Sequence, residues 1–428
     1  MKKKFVIFSI TLLVVTVLAS CSHGYDEELY SNGSHDYPPS ESLGGAPQPG
    51  ANADPGELIT REELSPSSEV ISIISFDGYN LQGRLTLPGN ERIDKLVIFV
   101  NPTGPHTFDA RRNFGDRFSN LNDFYALRFQ ERGIAFFSYS TRGVGIGGEF
   151  PHFHTIDETR FLTHLPANQV RDIYYMINAI RAMDARLENS QIILWGRSEG
   201  AIIAPMFAEL YPHMVDALIL ISVPIDNMYD VIKWRFSGEA YMVWYRHYFN
   251  TDNYGRISRE AFEADPNNVI EREWGEIEIE ALFDMLDENN NGFIDVEDYY
   301  LILEPWRLEL FRALDTRNNL RLRDLHHPRI TAEWFWEHSA IQSNMYRLPT
   351  LDLPIFIFHY TLDQIACVNR VIALEEKLAQ LGRTNISVNI IEGFDHNRNF
   401  AHYLMTYEEA LQGLQAAFET VFYFNMVR

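Results

Sequence analysis

Short apolar runs alternate with helical stretches along most of this chain, and that alternation limits the folds open to it more than any other feature. Runs at Glu69–Phe76, Leu81–Leu87 and Lys95–Val100 come first, followed by a helical stretch Leu121–Arg132 and the run Ile134–Tyr139. A longer helical stretch Ala167–Leu187, the run Ile192–Trp195, a short helix from Glu199 and the run Leu218–Val223 continue the pattern. It resumes at Pro354–Tyr360, with a helix at Asn369–Leu381, the run Ile386–Ile391 and a last helix near Tyr407–Phe424. Runs this continuous predict strands buried on both faces, and the helices between them predict parallel neighbours. The expected class is α/β, a mostly parallel sheet covered by helices on both sides. No internal repeat of solenoid period is visible.

The N-terminal end reads as an address. Lys2, Lys3 and Lys4 precede the apolar run Phe5–Leu18, too short for a comfortable membrane span, so residues 1–20 are expected to be an export signal. The run closes on Leu18-Ala19-Ser20-Cys21, which resembles the bacterial lipobox. That resemblance implies a lipid on Cys21, a membrane partner through that lipid, and a periplasmic or cell-surface location. Residues 21–66, rich in Ser, Gly, Pro, Asp and Glu, hold too few apolar groups to offset ordering entropy and predict a flexible tether. Cys367 is the one other cysteine, so a disulfide scaffold is excluded and the chain must rely on its core. The formal charge is −23 and falls to −26 once the three signal lysines leave. Such a balance excludes nucleic acid as a partner and leaves the lipid, rather than surface charge, to hold a membrane.

The segment Ile192-Ile193-Leu194-Trp195-Gly196-Arg197-Ser198-Glu199-Gly200-Ala201 places a G-x-S-x-G pattern between an apolar run and a helix. Glycines at 196 and 200 leave room for a tight strand-to-helix turn that lifts Ser198 above the sheet. The N–H of Glu199, at the helix start, can then face a developing oxyanion. A serine hydroxyl needs a base, and the base needs an orienting acid. The run Pro354–Tyr360 leads into Thr361-Leu362-Asp363, and the run Ile386–Ile391 leads into Glu392-Gly393-Phe394-Asp395-His396. Both follow strand ends, where open α/β sheets bind ligands. Asp395 is a reserve acid, with adjacency to His396 against it.

These residues, in the order Ser, Asp, His, resemble the α/β-hydrolase superfamily, nearest its esterases, dienelactone hydrolases and peptidases. Two further stretches carry the resemblance. Asn101-Pro102-Thr103-Gly104 stands where the family has a His-Gly-x-Gly-type oxyanion loop, and Arg142-Gly143-Val144-Gly145 resembles its Arg-Gly-x-Gly turn. Asn101 replaces His and Pro102 replaces Gly; proline has no N–H, so the second oxyanion donor is expected at Thr103. The resemblance implies a Ser198–His396–Asp363 triad acting on a small-molecule ester or acyl substrate, with thioesters and amides as further options and no cofactor for catalysis. The hydrolase core is expected over residues 67–224 and 348–428. The altered loop motivates a rival reading, a non-catalytic, calcium-stabilised binding lipoprotein on a hydrolase scaffold.

Residues 225–347 break the alternation and predict a helical cap. Within them Asp287-Glu288-Asn289-Asn290-Asn291-Gly292-Phe293-Ile294-Asp295-Val296-Glu297-Asp298 matches an EF-hand loop, flanked by helical stretches Ile277–Leu286 and Val296–Leu303. Asp287, Asn289, Asn291, Asp295 and Asp298 would offer side-chain oxygens, with the Phe293 carbonyl between them and Gly292 at the sharp turn. Ca²⁺ is the expected ion, with Mg²⁺ the alternative because Asp298 stands where a longer Glu is usual. A degenerate loop at 250–261 lies upstream, and Ile257 and Ile294 occupy the positions at which paired loops bridge. Trp244, Tyr245, Trp306, Trp334, Phe335 and Trp336 predict cap core more than pocket lining. His152, His154 and His164, near Asp157 and Glu158, lack a recognisable zinc spacing and are expected to be polar surface.

Overall fold

A computed structural model describes residues 68–114, 117–147, 154–270, 278–326, 328–397 and 407–425. The signal, Cys21, the tether and His152 lie outside the described residues. Eight strands make the central sheet: β1 (Ser68–Ile74), β2 (Asn80–Thr86), β3 (Lys95–Val100), β4 (Ala135–Tyr139), β5 (Gln191–Arg197), β6 (Ala217–Ile221), β7 (Ile355–Tyr360) and β8 (Ile386–Ile391). Their order is β1-β2-β4-β3-β5-β6-β7-β8. β1–β2 and β2–β4 are antiparallel, and every pair from β4 to β8 is parallel. This is the α/β-hydrolase fold. The parallel register matters for function: Val100 faces Gly196, Arg197 faces Ile221, and Ile221 faces Phe358. The C-terminal ends of β3, β5, β6 and β7 therefore share one edge of the sheet.

Helices of the core are α1 (Leu121–Gln130), α2 (Pro166–Met183) and α3 (Gly200–Leu210). The insertion contributes α4 (Met228–Arg235), α5 (Glu239–Tyr248), α6 (Arg259–Ala264), α7 (Ile279–Leu286), α8 (Val296–Asp315), α9 (Asn319–Leu325) and α10 (Ala332–Ala340). The core then closes with α11 (Val368–Gln380) and α12 (Tyr407–Tyr423). Successive strand side chains point to opposite faces, and β5 shows the consequence. Ile192 and Leu194 pack with Ile177 of α2 and Phe207 of α3, whereas Ile193 and Trp195 pack with Phe129 of α1 and Phe418 of α12. Trp195 meets Phe418 at 5.2 Å and Phe129 edge-on at 5.5 Å between ring centroids.

Ion pairs brace the end of β4. Arg142 is buried, donates from Nε and Nη2 to Asp172 of α2 at 2.6 Å each, and reaches Asp77 at 2.7 Å. Ser75 donates to the same Asp172 at 2.5 Å. Gly143, at φ +77°, lies so close to the backbone of Phe161 that a side chain would overlap it.

The insertion has its own apolar cluster, with Phe262, Phe283, Tyr299, Leu314, Leu322 and Phe335 at its centre. Trp334 and Phe335 are buried in it, and Trp244, Trp306 and Trp336 pack against it. Between α6 and α7–α8 a two-residue antiparallel ribbon pairs Ile257 with Ile294 and Ser258 with Phe293. The helix expected over Val296–Leu303 runs on through Pro305 to Asp315. Proline normally ends a helix, but buried Leu303, Leu310 and Leu314 on either side hold this one. Two short ribbons, Arg111–Phe114 with Arg117–Asn120 and Val144–Ile146 with His154–Ile156, carry no apolar run and have no counterpart in the sequence pattern.

Candidate active site

β5 ends in a turn whose backbone is held tight by close contacts. Ser198 has φ +52°, a left-handed conformation that a non-glycine residue adopts only at a cost. A side chain on Gly196 would overlap the Gly200 carbonyl, and one on Gly200 would overlap the carbonyl of Val100 on the neighbouring strand. Both glycines are therefore required by approach of backbone to backbone. The Ser198 N–H donates to Ile221 O at 2.9 Å, tying the turn to β6. Glu199 is the N-cap of α3, so its N–H has no partner inside the helix.

Asp363 and His396 reach the same edge from the loops after β7 and β8. Those loops are stitched together: Thr361 N–H donates to Ile391 O at 3.1 Å, Leu362 N–H to Phe394 O at 3.0 Å, and Gly393 N–H to Thr361 Oγ1 at 3.0 Å. Ser222, just past β6, donates from Oγ to the His396 carbonyl at 3.0 Å. His396 Nδ1 then lies 2.9 and 2.8 Å from the two Asp363 oxygens, and His396 Nε2 lies 3.0 Å from Ser198 Oγ. With Nδ1–H donated to the carboxylate, Nε2 is left to accept the serine proton. Ala366 and Ile365 N–H groups also donate to Asp363 Oδ1, at 2.7 and 2.9 Å. Burial pushes the Asp363 carboxyl up, but His396 opposite it outweighs that and holds it below the ordinary carboxylate range. His359 stands 3.7 Å from Asp363 Oδ2 and bonds the Ala366 carbonyl at 3.0 Å. Asp395 accepts the Asn397 N–H at 2.7 Å.

Thr103 lies on the loop that leaves β3 beside this turn. Asn101 anchors that loop, donating from Nδ2 to Tyr139 O at 2.9 Å, and His106 Nε2 bonds the Thr103 carbonyl at 3.0 Å. The side chain of Glu199 turns away from the serine. It is fully buried and accepts from Gln169, Trp334 and His338. Burial pushes its carboxyl up, yet the attraction of His338 prevails and holds it below the usual range. The sequence marked Glu199 for its N–H alone. A carboxylate among glycine, alanine and isoleucine at a helix start was the available sign of a buried partner elsewhere.

Among the described residues, His154, His164, Asp157 and Glu158 form no metal cluster. His154 sits on a surface ribbon, Asp157 caps a short helix by accepting the Arg160 N–H at 3.1 Å, and Glu158 pairs with Arg329. Against the expectation of a surface residue, His164 is buried, because it stacks on Phe161, and burial pushes its imidazole down to about 4. In the loop 287–298, Asp287 accepts the Asn291 and Gly292 N–H groups at 2.9 and 3.0 Å, and Asp298 accepts those of Asn289 and Asp295 at 3.1 and 2.9 Å. Gly292 has φ +84° at the sharp turn. Asn289 and Asn291 add amide oxygens, and Asp295 caps α8. Among the described residues no three His, Cys, Asp or Glu side chains converge as a metal cluster. The loop's donor set is carboxylates interleaved with amides.

A family model described as serine carboxypeptidase S28 matches residues 152–290, less than half of the chain and a span that takes in Ser198. No curated protein matches in sequence. Among solved structures, the chain is similar to an acylaminoacyl peptidase of Pyrococcus horikoshii at 12% identity and TM-score 0.44, covering 82% of this chain and 41% of that one. A thermostable carboxyl esterase of Bacillus coagulans matches at 14% identity and TM-score 0.47, covering 83% and 99%. An esterase of Exiguobacterium antarcticum matches at 11% identity and TM-score 0.42, covering 82% and 100%. The chain spans less than half the length of the peptidase. Sheet order, site geometry and the family match together support a hydrolase.

The tight turn generates a direct expectation. Gly200→Ala should lower stability by about 1–3 kcal/mol, the usual cost of forced overpacking, read as a shift in the urea unfolding midpoint. An unchanged midpoint would mean that the Val100 carbonyl can give way.

Proposed function

We propose that this chain is a serine hydrolase that cleaves a carboxylic ester, with thioesters and amides as further bonds of the same chemistry. The observation that carries the reading is the unbroken hydrogen-bonded chain from Ser198 Oγ through His396 to Asp363. In the proposed reaction Ser198 Oγ attacks the carbonyl carbon while its proton passes to His396 Nε2. Asp363 keeps the imidazole oriented and stabilises the imidazolium as it forms. The N–H groups of Glu199 and Thr103 are assigned to the oxyanion, and Pro102 has none to give. His396 returns the proton to the leaving group, and water, deprotonated by the same histidine, releases the acyl-enzyme. A small-molecule substrate entering at the loop edge of the sheet suits this assignment.

We further propose that Asp287, Asn289, Asn291, Asp295 and Asp298, with the Phe293 carbonyl, hold Ca²⁺, with Mg²⁺ the weaker fit. An all-oxygen donor set suits a hard cation, and the Ile257–Ile294 ribbon supports paired loops. The loop leads directly into α8, whose Leu314 carbonyl accepts Trp336 Nε1–H of α10 at 3.2 Å. An ion at one end of α8 would thereby stiffen the cap helix that meets Glu199. The lipid on Cys21 and the membrane location it implies are proposed from the lipobox resemblance.

Fluorophosphonate capture tests the central reading. The soluble chain from Ser68 should label, Ser198→Ala should not, and Asp363→Asn should lose turnover by about 10⁴-fold, as expected of a wrong histidine tautomer. A well-folded protein that never labels would favour the binding-lipoprotein reading. For the ion, millimolar Ca²⁺ should raise the melting temperature over a chelator-treated sample, and Asp287→Asn should abolish the difference; equal melting curves for the wild type would remove the ion. Detergent partition tests the anchor. Full-length protein expressed in a bacterium should enter the detergent phase, with Cys21→Ser left in the aqueous phase.

A further inference from the structure

The residue after the nucleophile is an acid that never reaches solvent. A single oxygen of the Glu199 carboxylate, Oε1, accepts three hydrogen bonds: Gln169 Nε2–H from α2 at 2.6 Å, and Trp334 Nε1–H and His338 Nε2–H from α10 at 2.8 Å each. Three donors on one charged oxygen hold the side chain in one arrangement. Two of the three come from the insertion, so a side chain of the nucleophile turn is built into the cap.

The facing wall of the site touches the insertion as well. Gly104, one residue after Thr103, has φ +104°, and a Cβ there would stand 2.6 Å from Pro328 Cβ. Pro328 is itself held, because His326 bonds its carbonyl through Nδ1 at 2.9 Å and meets Arg235 Nη1 through Nε2 at 3.0 Å. Both peptides assigned to the oxyanion therefore sit one residue or less from a cap contact.

Stability alone is a poor reason for such a carboxylate, since an apolar side chain of similar volume usually holds a buried interface as well or better. Substrate recognition is a poor reason too. Glu199 is fully buried and its bonded oxygen is already surrounded by donors. We propose that Glu199 is a positioning residue: its carboxylate latches α10 to the nucleophile turn, so that seating of the cap and alignment of the Glu199 N–H toward the oxyanion are one event. Lifting α10 would strand a buried charge, which keeps the cap from acting as a loose lid. The alignment half of this proposal rests on the serine hydrolase reading above; the latch half does not.

The test compares Glu199→Gln, which keeps shape and removes charge, with Trp334→Phe, which removes one donor and keeps a large ring. Leu322→Ala is the control, because Leu322 is buried in the cap cluster on α9 and lies outside the latch. Three readouts are taken: hydrogen exchange of α10, the rate of fluorophosphonate capture, and kcat against KM on p-nitrophenyl acetate. Glu199→Gln should slow capture and lower kcat by about tenfold or more, short of the loss seen when an oxyanion donor is removed outright. KM should move by less than about threefold, and α10 should exchange faster. Trp334→Phe should fall between this variant and wild type, and it carries the comparison alone should Glu199→Gln not fold. Leu322→Ala should speed exchange yet keep kcat, corrected for the folded fraction, near that of wild type.

Unchanged exchange and capture in Glu199→Gln would overturn the latch. A raised KM with kcat intact would overturn it too, making Glu199 a substrate-binding group. Equal loss of kcat in Leu322→Ala would reduce Glu199 to cap packing. Wild-type protein that is not captured defeats the hydrolase reading, and exchange of α10 then decides the latch by itself.

Discussion

The rest of the site depends on one close approach of backbones. Gly200 lies against the carbonyl of Val100, and Gly196 lies against the carbonyl of Gly200. Without those contacts the chain could not reverse from β5 into α3 within a single left-handed residue, Ser198. The strained conformation persists because the surroundings over-determine it: the turn is bonded to β6 through Ile221 and packed under β3. A serine lifted in this way needs its base and acid brought to it, since it cannot move toward them.

Sheet register does that work. Parallel pairing aligns the ends of β3, β5, β6 and β7, and the loops after β7 and β8 are bonded to each other before either side chain is considered. Ser222 then fixes the backbone of His396 from a third loop. The imidazole is thus placed from three directions, while Asp363 is buried among N–H donors and faces His396. Such a frame leaves little freedom for the reacting groups to reorganise, which is the condition under which preorganised charge is effective.

The insertion is bonded to the core at the turn after β5. Its apolar cluster takes in Ile202 of α3, and its polar contacts converge on the turn that bears Ser198. Gln169, Trp334 and His338 surround Glu199 from two elements far apart in the chain. Three donors on Oε1 stabilise the buried charge, while Oε2 has no hydrogen-bond partner among the described residues.

Strand periodicity, glycine spacing and the order of Ser198, Asp363 and His396 were legible in the sequence because each is a local pattern. A strand buried on both faces must be continuously apolar, a tight turn must carry glycine, and a residue following a strand end lies at the sheet edge. The EF-hand-like spacing is a pattern of the same local kind, with every candidate position inside one loop. Tertiary structure supplied the contact itself: the loops after β7 and β8 bring Asp363, the acid the sequence preferred, to the imidazole, while Asp395 accepts the Asn397 N–H. It alone carried α8 through Pro305 and gave Glu199 its partners. The Glu199 contacts to Trp334 and His338 span 135 and 139 residues, and packing outweighs a local propensity at Pro305; neither leaves a periodic trace in the chain.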